Sequence, residues 1–245
     1  MIIFSRYFKQ ICLLAVLTLG IPTFAIDLGL VGQYSKNSDS LVVNGRNISI
    51  SSSGIGLEVS DTVFKEYLYL SAGALYGSTG DASATFSGAA VSGPAKLTTT
   101  YGVIKAYAFP DNRWTPLAYY SILSSNGGIT FSGYRNTTLA VGSANFSYDQ
   151  QAYGIGLRFL VIPDLSVEFI AGKHHWKLLS DATGTLGTLG VSTNIEATNT
   201  DTFNAASLRY KNGNWTYSGE YGAYVLRSDN QVSTSNFKLA VNYRF

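Results

Sequence analysis

Beyond residue 25 the chain repeats one motif, apolar and polar residues in strict alternation. Ile55, Leu57 and Val59 alternate with Gly54, Gly56, Glu58 and Ser60, and Leu68, Leu70, Ala72, Ala74 and Tyr76 with Tyr67, Tyr69, Ser71 and Gly73. Tyr153, Ile155, Leu157 and Phe159 alternate with Gly154, Gly156 and Arg158, and Leu165, Val167, Phe169 and Ala171 with Ser166, Glu168 and Gly172. Trp215 to Val225 and Phe237 to Phe245 do the same. A period of two puts alternate side chains on opposite faces of a β-strand. Ten strands are expected, near 26–35, 46–60, 65–78, 96–109, 114–124, 146–161, 165–178, 200–211, 214–227 and 233–245. No sustained helical period competes with them, and after residue 25 no apolar run is long enough for a transmembrane helix.

The connectors fall into two alternating sets. Segments 60–66, 110–113, 162–164 and 211–214 are tight, with Pro-Asp or Asn-Gly pairs that suit turns. Segments 35–45, 77–95, 125–145 and 179–199 are long and polar, and 227–232 is a shorter member of that set. Short turns on one side and long loops on the other are the mark of outer-membrane barrels. With both termini on the short-turn side the strand number must be even. The expected fold is therefore an all-β, transmembrane, antiparallel up-and-down β-barrel of about ten strands over residues 26–245. Eight or twelve strands follow if the fourth and fifth strands, or the segment 129–141, are counted differently.

Charge decides which face meets lipid. An Arg or Lys facing the bilayer midplane costs roughly 2–4 kcal/mol, so mid-strand charges belong inside. Parity places Glu58, Arg158, Glu168, Arg209, Glu220, Lys238 and Arg244 on the polar face, and the first six form an expected interior charge network. Lys105 sets the fourth strand, with Gly102, Ile104, Ala106 and Ala108 toward lipid. Lys173 breaks the rule and is expected above the membrane. Leu117, Tyr119 and Leu123 against Ala118, Tyr120 and Ile122 leave the fifth strand unoriented.

The N-terminus adds a destination. Arg6 and Lys9 precede an apolar run from Ile11 to Ile21 and a Pro22-Thr23-Phe24-Ala25 segment with small residues before a cut. This pattern predicts a secretory signal peptide over residues 1–25. Its removal takes away Cys12, the single cysteine, and two of the 17 basic residues, so 15 basic residues balance 15 acidic ones. The pI of 8.5 is then partly a property of the signal, and no nucleic-acid partner is expected. A soluble β-sandwich would alternate in the same way. Against it stand 17 tyrosines, the turn asymmetry and the outward aromatics Phe159, Tyr210, Trp215, Tyr217, Tyr243 and Phe245 gathered at the short-turn end.

The terminal FKLAVNYRF resembles the insertion signal of bacterial outer-membrane barrels, with Phe237, Leu239, Val241, Tyr243 and Phe245 at the matching positions. The hairpin from Tyr153 to Phe159 and from Pro163 to Glu168 is similar to hairpins of the opacity and OmpA-like small-barrel family. The resemblance implies a place in the outer membrane of a Gram-negative cell, contact with lipid and lipopolysaccharide, and recognition of Phe245 by the insertion machinery. A monomer is the expected state.

Chemistry is sparse. His174 and His175 are the only histidines, and as strand neighbours they point to opposite faces, so they cannot converge on a metal or act together as base and orienter. No catalytic, cofactor-binding or metal-binding residue is expected. Arg158 and Glu168 lie equidistant from Pro163 and should face each other across a hairpin, either as a charged constriction or as a salt bridge in a filled lumen. The loops 77–95 and 179–199, rich in Ser, Thr, Gly and Ala, either bind a surface ligand or extend strands beyond the membrane. The expectation is a non-enzymatic barrel serving envelope integrity or surface interaction. A narrow porin-like channel for small solutes is the alternative, and an enzyme acting on lipid or peptide is third.

Overall fold

A computed structural model describes residues 26–37, 41–49, 51–64, 66–78 and 82–245. The expected signal peptide, residues 1–25, lies outside the described residues. The strands are β1 (Asp27–Asn37), β2 (Leu41–Val43), β3 (Arg46–Ser49), β4 (Ser51–Val63), β5 (Leu68–Ser78), β6 (Ala82–Phe86), β7 (Ala89–Gly93), β8 (Ala95–Tyr107), β9 (Trp114–Arg135), β10 (Thr138–Ile162), β11 (Leu165–Leu186), β12 (Leu189–Asn212), β13 (Trp215–Arg227) and β14 (Gln231–Arg244).

Ten of these close into a barrel in the order β1-β4-β5-β8-β9-β10-β11-β12-β13-β14, each antiparallel to its neighbours, with β14 returning to β1. Closure satisfies every edge, which a sheet in lipid requires. The seam runs from Asp27 opposite Arg244 to Asn37 opposite Thr234, and Arg244 Nε donates to Asp27 Oδ1 at 2.9 Å where it begins. The described chain starts and ends at this rim, which also carries the short turns.

The opposite end departs from the expected loops. Segments 125–145 and 179–199 are almost wholly strand, since β9 and β10 run on to a turn at Asn136-Thr137 and β11 and β12 to one at Gly187-Thr188. β10 has 25 residues, where a tilted membrane strand needs about 9–11. More than half of β10 therefore rises above the bilayer. The expected connector 35–45 contains β2 and the turn into β3, the connector 77–95 contains the β6–β7 hairpin, and the expected strand 46–60 is divided between β3 and β4. The turns of the two small hairpins, Asn44-Gly45 and Ser87-Gly88, have φ of 51° and 70° and of 48° and 78°. Two successive positive φ values give the type I′ geometry that matches strand twist. The hairpins join the outer sheet through β3–β6 and β7–β9.

The exterior of the lower barrel is apolar. Ile55, Leu57, Val59, Ile155, Phe169 and Leu239 all point outward, Ile55 with 77% of its surface exposed. β8 follows Lys105 as expected. β9 is oriented by the structure: Leu117 and Tyr119 are buried inside, while Ala118 and Tyr120 face out. Two aromatic girdles bound the band. At the short-turn rim the rings pair as Trp114 with Phe159 at 4.3 Å, Tyr210 with Tyr217 at 6.3 Å and Trp215 with Tyr243 at 4.9 Å. Tyr34, Tyr120, Tyr153, Tyr221 and Phe237 form the outer girdle, roughly 20 Å farther along the strands at about 3.4 Å per residue. Lys173 points outward opposite Tyr153 in the outer girdle. Aromatic rings at both interfaces around an apolar band are the exterior of a membrane-spanning barrel.

Candidate functional site

The interior is filled in three tiers. In the lowest, one row of residues crosses five strands: Asn242, Gly29, Glu58, Gly73 and Tyr101. Asn242 Nδ2 donates to Glu58 Oε1 at 3.1 Å, and Tyr101 Oη to Glu58 Oε2 at 2.6 Å. Each reaches Glu58 across a glycine. A Cβ on Gly73 would lie 2.5 Å from the Tyr101 ring, so the absence of a side chain there is what lets the ring lie along the wall. Lys238 completes the set, donating to Glu58 Oε2 at 2.6 Å while its ammonium lies 4.4 Å from the Tyr101 ring centre. A buried carboxylate with three donors is fully compensated.

Glu168 gathers the second group. Lys105 Nζ and Tyr107 Oη each donate to it at 2.6 Å, and Ser207 Oγ at 3.0 Å. Glu220 stands 3.9 Å from the same ammonium. Arg158 is the register partner of Glu168, as its spacing from Pro163 predicts, yet the two side chains form no ion pair. The Arg158 guanidinium instead donates to the Pro110 carbonyl and lies 4.4 Å from the centre of the Tyr107 ring. Arg209 stacks over Tyr69 at 4.1 Å. Of the six network residues, Glu58 joins Lys238 and Glu168 approaches Glu220 through Lys105, whereas Arg158 and Arg209 rest on aromatic faces. The expected network omitted Lys105, Tyr101, Tyr107 and Asn242. Lys105 was already placed on the inner face of its strand by parity, and only its partner was missing.

The middle tier is aromatic. Phe203 stacks on Tyr224 at 5.5 Å with an interplanar angle of 12°, and Tyr119 meets Phe203 at 5.7 Å. His174 is fully buried beside them, its ring 5.3 Å from that of Tyr224 and its Nε2 2.8 Å from the Val225 carbonyl. His175 points outward to Thr200 at 3.1 Å. The two histidines occupy opposite faces, and no group of three or more potential metal ligands occurs among the described residues. Above, Asp201 accepts from Trp176 Nε1 and from the Arg227 amide, each at 2.9 Å.

The top tier is apolar. Leu41, Val43 and Ile48 of the β2–β3 hairpin pack on Trp176, Leu178 and Leu226, while Phe86 and Val91 of β6–β7 pack on Phe131 and Ala182. The hairpins thus fold inward over the outer mouth. At the other end of the molecule, Phe237, Leu239, Val241 and Tyr243 face outward. Phe245 is 79% exposed at the rim, with its ring 5.0 Å from that of Tyr243.

The outer membrane protease OmpT from Escherichia coli has a similar fold, with a TM-score of 0.57 over 92% of this chain and 99% of that chain at 9% sequence identity. The translocator domain of the autotransporter NalP from Neisseria meningitidis gives a TM-score of 0.55 over 98% of this chain and 96% of that chain at 14% identity. No protein-family model and no curated protein sequence matches the chain. The closed barrel, its apolar exterior and these likenesses define an integral β-barrel of the bacterial outer membrane. This is the class that the terminal strand and the Tyr153 to Glu168 hairpin resemble.

Proposed function

We propose that this protein is a non-enzymatic outer-membrane barrel whose lower lumen is structural fill and whose extension above the bilayer is its working surface, in envelope integrity or contact with an external partner. Residues 1–25 direct its export, its outer girdle meets lipopolysaccharide, and the terminal strand is read by the insertion machinery. The observation that carries the reading is the stacking of tiers across the lumen. The Lys105–Glu168 pair has side chains only 7% and 6% exposed, and directly above it lie Tyr119, Phe203 and Tyr224. Buried side chains that fill a small barrel make a core. The length of β9 to β12 beyond the membrane supports a surface role.

The likeness to a protease is one of fold. The buried His174 is held by a backbone carbonyl between aromatic rings, and that setting supports a packing role rather than proton transfer. Planar-bilayer recording on residues 26–245, refolded and checked by heat-dependent gel mobility, tests the reading. A folded but electrically silent barrel is expected. Discrete, reproducible conductance steps would instead favour the narrow channel.

A further inference from the structure

We propose that the outer third of the lumen is a binding site for a small amphiphile, a single apolar ring carrying one hydroxyl group. A cavity of about 130 Å³ lies beneath the β2–β3 hairpin, and one of about 50 Å³ lies beside it under β6–β7. Ile48, Phe146 and Leu178 are walls of both. An apolar cavity of about 150 Å³ takes up benzene, so the larger space has the scale of one ring.

The lining is two-sided. Leu41, Leu97 and Leu226 supply apolar wall to the larger cavity, while Gln33, Thr99 and Asn236 supply polar floor. Asn236 Oδ1 is buried without a hydrogen-bond partner, and Thr193 Oγ1, on the wall of the smaller cavity, is buried in the same condition. A buried acceptor left unpaired costs free energy that a ligand hydroxyl would recover. Tyr224 closes the chamber from below as part of the aromatic tier, so a ligand enters from the outer end and stops there. The lid is held at its edge by polar contacts, Val42 N donating to Asn230 Oδ1 and Gly45 N to Asp229 Oδ2, both at 2.7 Å, and on its inner face by Leu41, Val43 and Ile48 packed on Trp176, Leu178 and Leu226. Among the described residues the hairpin pairs with the outer sheet only at Ile48–Ala84 and Ser49–Ser83, so it opens more readily than the long-stranded wall around it.

The test is fluorine NMR of para-fluorophenol and fluorobenzene added to the full barrel in lipid nanodiscs, with empty nanodiscs measuring partition into lipid. Saturable binding of para-fluorophenol above that baseline is expected, with fluorobenzene about tenfold weaker for want of the hydrogen bond. Ser52→Phe, which places a ring in the larger cavity, should abolish binding of both. Asn236→Leu should remove the preference for the phenol while fluorobenzene still binds. Leu123→Phe fills the same space and stands in if Ser52→Phe does not reach the heat-modifiable form. Signals equal to those of empty nanodiscs, or unchanged by either filling variant, would overturn the proposal.

Discussion

Lys105 Nζ and Glu168 Oε2 lie 2.6 Å apart although their strands, β8 and β11, are separated in the wall by β9 and β10. The pair therefore ties two parts of the barrel through the lumen rather than along the sheet. Removing one partner leaves a buried charge uncompensated, at a cost of about 3–5 kcal/mol. Lys105→Met and Glu168→Leu should each lower the midpoint of urea unfolding in lipid vesicles, and the double variant Lys105→Met/Glu168→Leu should recover much of the loss. Additive effects in that cycle would mean the two side chains do not act as a pair.

The Glu58 row makes a steric prediction. A methyl group on Gly73 would stand 2.5 Å from the Tyr101 ring and push its hydroxyl away from Glu58. Gly73→Ala should destabilise by about 1–3 kcal/mol as overpacking. Tyr101→Phe alone removes only the charge-assisted hydrogen bond and should cost about 1.5–3 kcal/mol. Tyr101→Leu placed on Gly73→Ala frees the space the methyl needs and should add little further loss. A Gly73→Ala barrel with unchanged unfolding would show that the ring has room to move.

How much of this was legible follows from what each face must satisfy. Ile55, Leu57 and Val59, or Ile155 and Leu157, face lipid, and lipid admits one polarity, so parity alone assigned them. β9 resisted because Leu117 and Tyr119 pack against the core while Ala118, Tyr120 and Ile122 meet lipid, leaving both faces apolar. Segments 125–145 and 179–199 carry Ser, Thr, Gly and Asn, the composition of loops, because water wets the outer face of strands above the bilayer. The β2–β3 hairpin had a written signal in Asn44-Gly45 after Leu41, Val42 and Val43, hidden inside a connector expected to be irregular. The partner of Glu168 had no such signal. Local register puts Arg158 opposite it, and only the curvature of the closed wall brings Lys105 across.

Below the inner girdle, Glu66 in the β4–β5 turn accepts from Lys211 Nζ at 2.8 Å. Burial raises the Glu66 carboxyl, but the hydrogen bond and charge of Lys211, together with the charges of Arg158 and Arg209, outweigh it and hold the group below its ordinary value. A lowered folded value means that the pair stabilises the barrel above the unfolded carboxylate value near about 4.3, and that this contribution is lost as pH falls from there through the folded value. Both side chains are partly exposed, so less than about 1 kcal/mol is involved. Carbon NMR titration should show the Glu66 carboxyl moving up in Lys211→Met. An unmoved titration would mean Lys211 does not set it.

Phe245 separates assembly from stability. The residue is 79% exposed and its ring touches Tyr243 at the rim, so Phe245→Ala removes little buried surface and should change unfolding by less than about 1 kcal/mol. If the terminal strand is the insertion signal, the same change should sharply lower the amount of heat-modifiable barrel in the outer membrane of cells, while purified protein refolds as before. Leu239→Ala provides the contrast, because Leu239 lies within the lipid-facing band and its truncation forfeits apolar contact with lipid whether or not the strand is recognised. Equal losses in cells and in refolding for Phe245→Ala would make the terminal aromatic an ordinary girdle residue. A loss confined to cells would assign it to recognition.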